Sequence, residues 1–321
     1  MYQLRLLERP LDIVVGLPGR HTRAWDLAMR PAPPNSRFVQ LAEVMASPRA
    51  YDCIIAHNLT DLLDVRTLVG PKLFVIHLTL DGMILEQNAQ TDAGEFRRAV
   101  KQFTEASAAH VTAVSRLKAE SWGFAGEKTA PLSADPLNYL PWRGDIAKGL
   151  RISNFILRRR RTLHWDFHQQ AFAGVPVTLV GHNPEFPGVA ASRNWEDLKE
   201  TLCRHRFFIH TADPQLEDGY NVATLEAMAA GLPVLGNFHP TSPVIQGVNG
   251  FLFDDPAKLK LAALRLLGDR ELAREMGSAA QQTAAQRFSG EAFCSGMRDA
   301  IEQAQKKFSA KQRADSVTLA N

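Results

Sequence analysis

The sequence predicts an α/β protein made of two consecutive doubly wound parallel-sheet units. Three observations predict it. Short apolar runs rich in β-branched and aromatic residues alternate with helical patterns along the chain, the signature of strands joined by covering helices. The alternation halts over 131–148, where Pro136, Pro141 and Gly144 cluster, and then restarts as a second unit of similar size. The length of 321 residues with 45% hydrophobic content suits about two domains, each with its own core.

In the first unit, Leu11–Val15 reads as a strand that ends in Gly16-Leu17-Pro18-Gly19. Further strands are expected over 37–41, 51–56, 73–77 and 110–114, with a helix over 93–108 and another starting at Ser115. In the second unit, strands are expected over 150–156, 175–180, 207–210, 233–235 and 250–253. Helices fill the gaps over 162–173, 195–203, 222–230, 256–268 and 270–288. The domains are expected at 1–145 and 146–304. A flexible tail is expected over 305–321, where Lys306, Lys307, Lys311 and Arg313 stand without apolar periodicity past Phe308. In such sheets ligands sit beyond the carboxyl ends of the strands, and between two domains the cleft is the default site.

Composition excludes several classes. A charged fraction of 22% does not describe a disordered chain. A net charge of +3 gives no ground for a nucleic-acid partner. Cys53, Cys203 and Cys294 are odd in number and far apart, so neither a disulfide framework nor a metal-ligand spacing is expected, and a reducing cytoplasm is. The first ten residues carry charges where a signal core is apolar. No run of about 18 apolar residues predicts a membrane span. Peripheral contact with the inner membrane face stays open.

The most informative stretch runs from Glu217 to Val234. A turn, Glu217-Asp218-Gly219-Tyr220-Asn221, leads into a short helix, and Gly231-Leu232-Pro233 ends it before a new strand. Helix N-terminal N–H groups facing a glycine turn can hold a phosphate. Carboxylates beside them can hold sugar hydroxyls. Asp218 and Glu226 are separated by seven residues, and Glu226 opens Glu-Ala-Met-Ala-Ala-Gly-Leu-Pro-Val. Downstream stand Gly247-Val248-Asn249-Gly250-Phe251-Leu252, then Leu267-Gly268-Asp269-Arg270-Glu271-Leu272, then Gln286-Arg287-Phe288-Ser289.

These four landmarks, in this order, resemble the C-terminal half of GT-B glycosyltransferases, most closely the retaining family 4 (glycosyl transferases group 1). The resemblance implies two facing Rossmann-like domains with an interdomain cleft. It implies transfer of a sugar, with retention, from a UDP- or GDP-sugar to a glycan, lipid or small-molecule acceptor. No cofactor and no metal are expected, because the sequence holds no Asp-x-Asp pair. The resemblance assigns the donor sugar to Asp218, the ribose hydroxyls to Glu226, and the diphosphate to the backbone of Gly219, Tyr220, Asn221 and Val222. The family's first acid is usually Glu, and here Asp218 stands in its place with Glu217 beside it.

The run Arg158-Arg159-Arg160-Arg161 falls where the family neutralises the diphosphate with an Arg and a Lys. Arg158 and Arg161 are the expected pair, since they share a face if a helix has begun. The alternative is a solvated basic face or one that meets anionic lipid. His77 ends the 73–77 strand, and the resemblance makes it a candidate catalytic residue, with His57 second and Asp81 nearby. His239-Pro240-Thr241-Ser242-Pro243 reads as a fixed turn beside the donor, and Val180-Gly181-His182-Asn183-Pro184 as a strand end near the base. The competing reading is a homologue that binds nucleotide-sugar or a partner without catalysing transfer. The acceptor is not readable from the first unit.

Overall fold

The computed structural model describes residues 2–19, 24–46 and 49–320. After a 3₁₀ turn at Tyr2–Leu7, the strands are β1 (Leu11–Val15), β2 (Ser36–Gln40), β3 (Ile54–Ala56), β4 (Lys72–Ile76), β5 (His110–Ala113), β6 (Ile146–Ile152), β7 (Val177–Val180), β8 (His205–Ile209), β9 (Val234–Gly236) and β10 (Gly250–Leu252). The helices are α1 (Leu41–Ala46), α2 (Leu59–Asp64), α3 (Leu80–Glu86), α4 (Ala93–Ala106), α5 (Arg116–Ser121), α6 (Trp165–Ala171), α7 (Trp195–Arg204), α8 (Val222–Ala229), α9 (Pro256–Gly268), α10 (Arg270–Arg287) and α11 (Gly290–Ala320).

Two compact units form, and neither is a continuous piece of chain. The first contains Met1–His77, Thr91–Pro131 and Phe293–Asn321; the second contains Leu78–Gln90 and Leu132–Ala292. The sequence reading divides the chain at 145 and 304 instead. The short helix α3 accounts for one difference. Thr79 caps it by accepting the Gly82 N–H, and the Thr79 hydroxyl donates to Leu216 O, which ties this helix to the second unit.

The last helix accounts for the other difference. The expected flexible tail is instead helical through Ala320; Asn321 lies outside the described residues. Phe293, Met297, Ala300 and Ala304 are buried at helical spacing. Gln305 Nε2 donates to Asp52 O at 3.1 Å and the Lys311 ammonium donates to Ala106 O. Four of these ordering contacts, at Ala300, Ala304, Gln305 and Lys311, are thus made by alanines or by polar groups, which hydropathy alone does not flag.

All strand pairs are parallel. In the first unit β1 pairs with β2, and β3, β4 and β5 form a second sheet. The β4 residues are all buried, as expected where helices cover both faces. Phe74 packs edge-on against Trp122, with centroids 5.9 Å apart.

The second unit has one five-stranded sheet in the order β10-β9-β8-β6-β7. From β6 the chain goes to one side for β7 and to the other for β8, so the strand order reverses between β6 and β8. That is the switch point at which doubly wound sheets bind ligands. The core beneath it gathers Phe207, Ile209, Leu235, Leu259 and Leu266, each contributing roughly 1.5–3 kcal/mol by burial.

Candidate functional site

The site is assembled within the second unit, at the carboxyl ends of β6 and β8. The acidic turn follows β8 and feeds α8. Asn221 caps the helix: its Oδ1 accepts the Thr224 N–H at 2.9 Å, and its own N–H donates to Thr224 Oγ1 at 3.3 Å. Such a cap contributes about 1 kcal/mol. Asn221 N–H is thereby taken up inside the cap. Val222 and Ala223, next in the first turn, keep the outward N–H groups of a helix start. Gly231, at φ +83°, provides the left-handed residue after the Ala230 C-cap, and the chain turns into β9.

Two neutral histidines and a threonine hold the acidic turn by its backbone. His210 Nε2 donates to Asp218 O at 3.1 Å. His239 Nε2 donates to Glu217 O at 2.9 Å. The Gly219 N–H donates to Thr241 Oγ1 at 2.8 Å, and that hydroxyl reaches His239 Nδ1 at 3.1 Å. With Nε2 donating, His239 Nδ1 is the acceptor, so the ring must be neutral. Burial enforces this: it pushes His210 down to about 3 and also lowers His239. Gly219 has no room for a side chain, since a Cβ there would lie 2.8 Å from the His239 ring. The expected turn at 239–243 is therefore present, and Thr241 serves the acidic loop rather than standing free.

Of the four consecutive arginines, Arg159 reaches the acids. Its Nε donates to Glu86 Oε1 at 2.8 Å and its Nη2 lies 3.4 Å from Glu217 Oε2. Glu217 Oε1 accepts the Asp218 N–H at 2.9 Å, so one carboxylate links the arginine to the turn. Arg158 Nε donates to Glu86 O at 3.0 Å, and Arg161 is exposed. The expected shared helix face of Arg158 and Arg161 does not form, because 157–164 are turns and α6 starts only at Trp165. Arg160 pairs with Asp166.

Behind this ladder lies Arg151, which is 2% exposed. It donates to Thr211 Oγ1 at 2.7 Å and Leu163 O at 3.1 Å, and sits over the Trp165 ring at 5.3 Å. Burial and then the charge of Arg159 pull it down to about 9, so it stays cationic at neutral pH. Two guanidinium groups thus stand near the end of β6, and Glu86 and Glu217 engage Arg159.

Asp218 is 1% exposed and Glu226 is buried on α8. The sequence-expected Asp218, Gly219, Tyr220, Asn221, Val222 and Glu226 all belong to this turn and helix. His77 belongs to the first unit. It follows β4 and its Nε2 lies 2.9 Å from His57 Nδ1. Burial drives His77 down to about 3 and His57 well below its usual value, so this pair is neutral.

Sequence reasoning missed Glu86, Arg159, His210 and the burial of Arg151. A signal for Arg159 existed in the run itself, but its acidic partners are 73 and 58 residues away. Among the described residues no group of three or more His, Cys, Asp or Glu is arranged to hold a metal ion.

Two consequences can be measured. First, a Cβ on Gly82 would lie inside contact distance of Leu216 O and Thr79 Oγ1. Gly82→Ala is expected to cost about 1–3 kcal/mol by prising α3 from the acidic loop. An unchanged urea midpoint would contradict this packing. Second, His77 and His210 take a proton near 6.5 when unfolded but only near 3 when folded. The unfolded chain thus binds more protons in that window, and stability falls as pH drops from 6.5 toward 3. Each ring contributes up to about 1.4 kcal/mol per pH unit. Denaturation at pH 7.5 and 5 reads the slope, and equal stabilities would refute it.

Residues 173–269 match the family profile described as Glycosyl transferases group 1. S. aureus TarM, solved as a variant with fondaparinux, α-GlcNAc-glycerol and UDP, superposes with a TM-score of 0.59 at 13% identity, over 78% of this chain and 55% of that one. The chain thus spans little more than half the length of TarM. Anabaena HepE, in complex with UDP and glucose, gives 0.62 at 18% identity, over 82% of this chain and 81% of that one. The chain has the GT-B glycosyltransferase fold. Sucrose-phosphate synthase from Thermosynechococcus elongatus shares the GT-B fold with a TM-score of 0.57 at 14% identity, over 79% of this chain and 73% of that one. No curated protein sequence matches. The group 1 profile covers the acidic turn, α8 and the Gly231 stop of this GT-B chain, and ends before α10.

Proposed function

We propose that this protein is a glycosyltransferase that moves a sugar from a nucleotide-sugar, a UDP- or GDP-sugar, to a glycan, lipid or small-molecule acceptor. One observation carries the reading. The Glu217–Gly219 turn and the capped start of α8 sit at the switch point of a parallel sheet, inside the region that matches group 1 glycosyl transferases. Solved relatives of this fold bind UDP.

In this reading Asp218 takes the sugar hydroxyls and Glu226 the ribose hydroxyls. The first-turn N–H groups at Val222 and Ala223 face the diphosphate, with Gly219 and Tyr220 leading into them. Arg159 supplies the cation that the sequence assigned to Arg158 and Arg161, and Arg151 reinforces it from behind. Charge on the departing diphosphate is then met by fixed donors and needs no reorganisation. The family resemblance gives His77, at the end of β4, a catalytic role. Retention, and turnover without a divalent metal or cofactor, follow from the family resemblance. The three unpaired cysteines suit a reducing cytoplasm, and no helix of the described residues is long and apolar enough to cross a membrane.

A second reading is favoured by Arg159 itself. Two glutamates already engage it, which suits a module that binds nucleotide-sugar without cleaving it. Calorimetric titration with UDP and GDP, followed by a donor hydrolysis assay, separates the two. Binding with slow hydrolysis supports the enzyme, and binding alone supports the module. No binding of either nucleotide sinks both.

A further inference from the structure

A groove of about 510 Å³ lies in the first unit. It runs between the 65–71 connection, the C-terminal part of α4 and the last turns of α11. Three cations line it: Arg66, Lys72 and Lys311. Lys72 is only 6% exposed. Its ammonium donates to Leu68 O at 2.5 Å. Arg66 donates to Leu63 O at 2.8 Å and Lys311 to Ala106 O. All three therefore point at backbone carbonyls. None makes an ion pair with a carboxylate among the described residues.

The neighbouring lysines behave differently. Lys306 pairs with Glu302 at 2.6 Å, Lys307 lies 4.0 Å from Glu127, and Lys128 pairs with Asp299 at 3.1 Å. Asp315 is the acid on the groove wall, and it leaves the lining two charges positive. Buried charges are normally compensated, and Lys72 is not. Burial and the charge of Lys311 both lower its proton affinity, the mark of cations held close without an anion between them. The rim is apolar as well as basic: Val69 is 75% exposed, and Phe103 and Phe308 line the same groove.

We propose that Arg66, Lys72 and Lys311 form a binding site for a phosphate group, separate from the donor site. A phosphate supplies several acceptor oxygens that cations lining one groove can share. The group can be carried by a free phosphorylated ligand or by the headgroup of an anionic lipid, whose apolar part would lie against Val69 and Phe308. This site does not depend on the glycosyltransferase reading.

Two probes test it on the full chain. One is inorganic phosphate, followed by calorimetry. The other is co-sedimentation with phosphatidylcholine vesicles that contain or lack phosphatidylglycerol. The double variant Arg66→Gln/Lys311→Gln changes two exposed residues and should preserve the fold. It is expected to weaken binding at least about tenfold while UDP titration stays as in the parent. Lys72→Met should lose the same binding with no drop in thermal stability; if it fails to fold, the surface pair decides. Binding of phosphate identifies a free ligand, and binding of phosphatidylglycerol vesicles alone identifies a lipid headgroup. Binding of neither probe, or binding untouched by the double variant, overturns the site.

Discussion

Arg159→Ala is expected to be the most damaging single change in the second unit. It leaves Glu86 and Glu217 facing each other with their cation gone, and their side chains are only 16% and 7% exposed. Breaking a buried pair by removing one partner costs about 3–5 kcal/mol. Arg159 itself keeps some solvent contact, so about 2–3 kcal/mol is expected here. For a protein of 321 residues that lowers the unfolding midpoint by roughly 3–5 °C. The loss should also reach the donor site, because Glu217 Oε1 holds the Asp218 N–H. Nucleotide-sugar affinity should therefore fall together with stability. Arg159→Ala/Glu86→Gln should recover part of the stability by removing one orphaned charge. A melting curve for Arg159→Ala that overlays the parent would refute the ladder.

Glu226→Ala should separate binding from stability. Glu226 is buried on α8, and its assigned work is to accept ribose hydroxyls. A charged hydrogen bond contributes about 1.5–3 kcal/mol, so UDP affinity should drop roughly 10- to 100-fold. Turnover of the nucleotide-sugar should fall at least as far. Alanine is the best helix former, so the backbone of α8 should persist and circular dichroism should be unchanged. Glu226→Gln keeps the shape and one acceptor, and should lie between the two. Full activity in Glu226→Ala would remove this residue from the site and with it the main support for the donor reading.

The parts of the site that were legible in the sequence are those whose partners are close along the chain. Asn221 caps through Thr224, three residues on, and Gly231 stops a helix that begins at Val222. Both are local signals, and the Gly231 stop stands as expected. Arg159 was hidden because its meaning depends on Glu86 and Glu217. His210 and His239 were legible as residues after strands, but not as the clamps on Glu217 and Asp218. The parallel sheet of the second unit was legible because strands such as β8 are buried along their whole length. The helices α1, α2 and α3 escaped because six or seven residues are too few to show a 3.6-residue period. The tail was misjudged for a different reason. Ala300 and Ala304 are buried, yet alanine carries almost no hydropathic signal.

The last helix has a consequence for how the protein is made. Residues 293–321 complete the first unit, while the second unit needs nothing beyond Ala292. A ribosome delivers the chain from its N-terminus, and domains generally fold as units during synthesis. The first unit must therefore wait, incomplete, until α11 has been made, while the second can finish first. Nascent chains arrested with residues to 292 outside the ribosome should resist protease around Phe207 and Leu235 but be cut around Ile54 and Phe74. Equal protection of both regions would contradict this order of assembly.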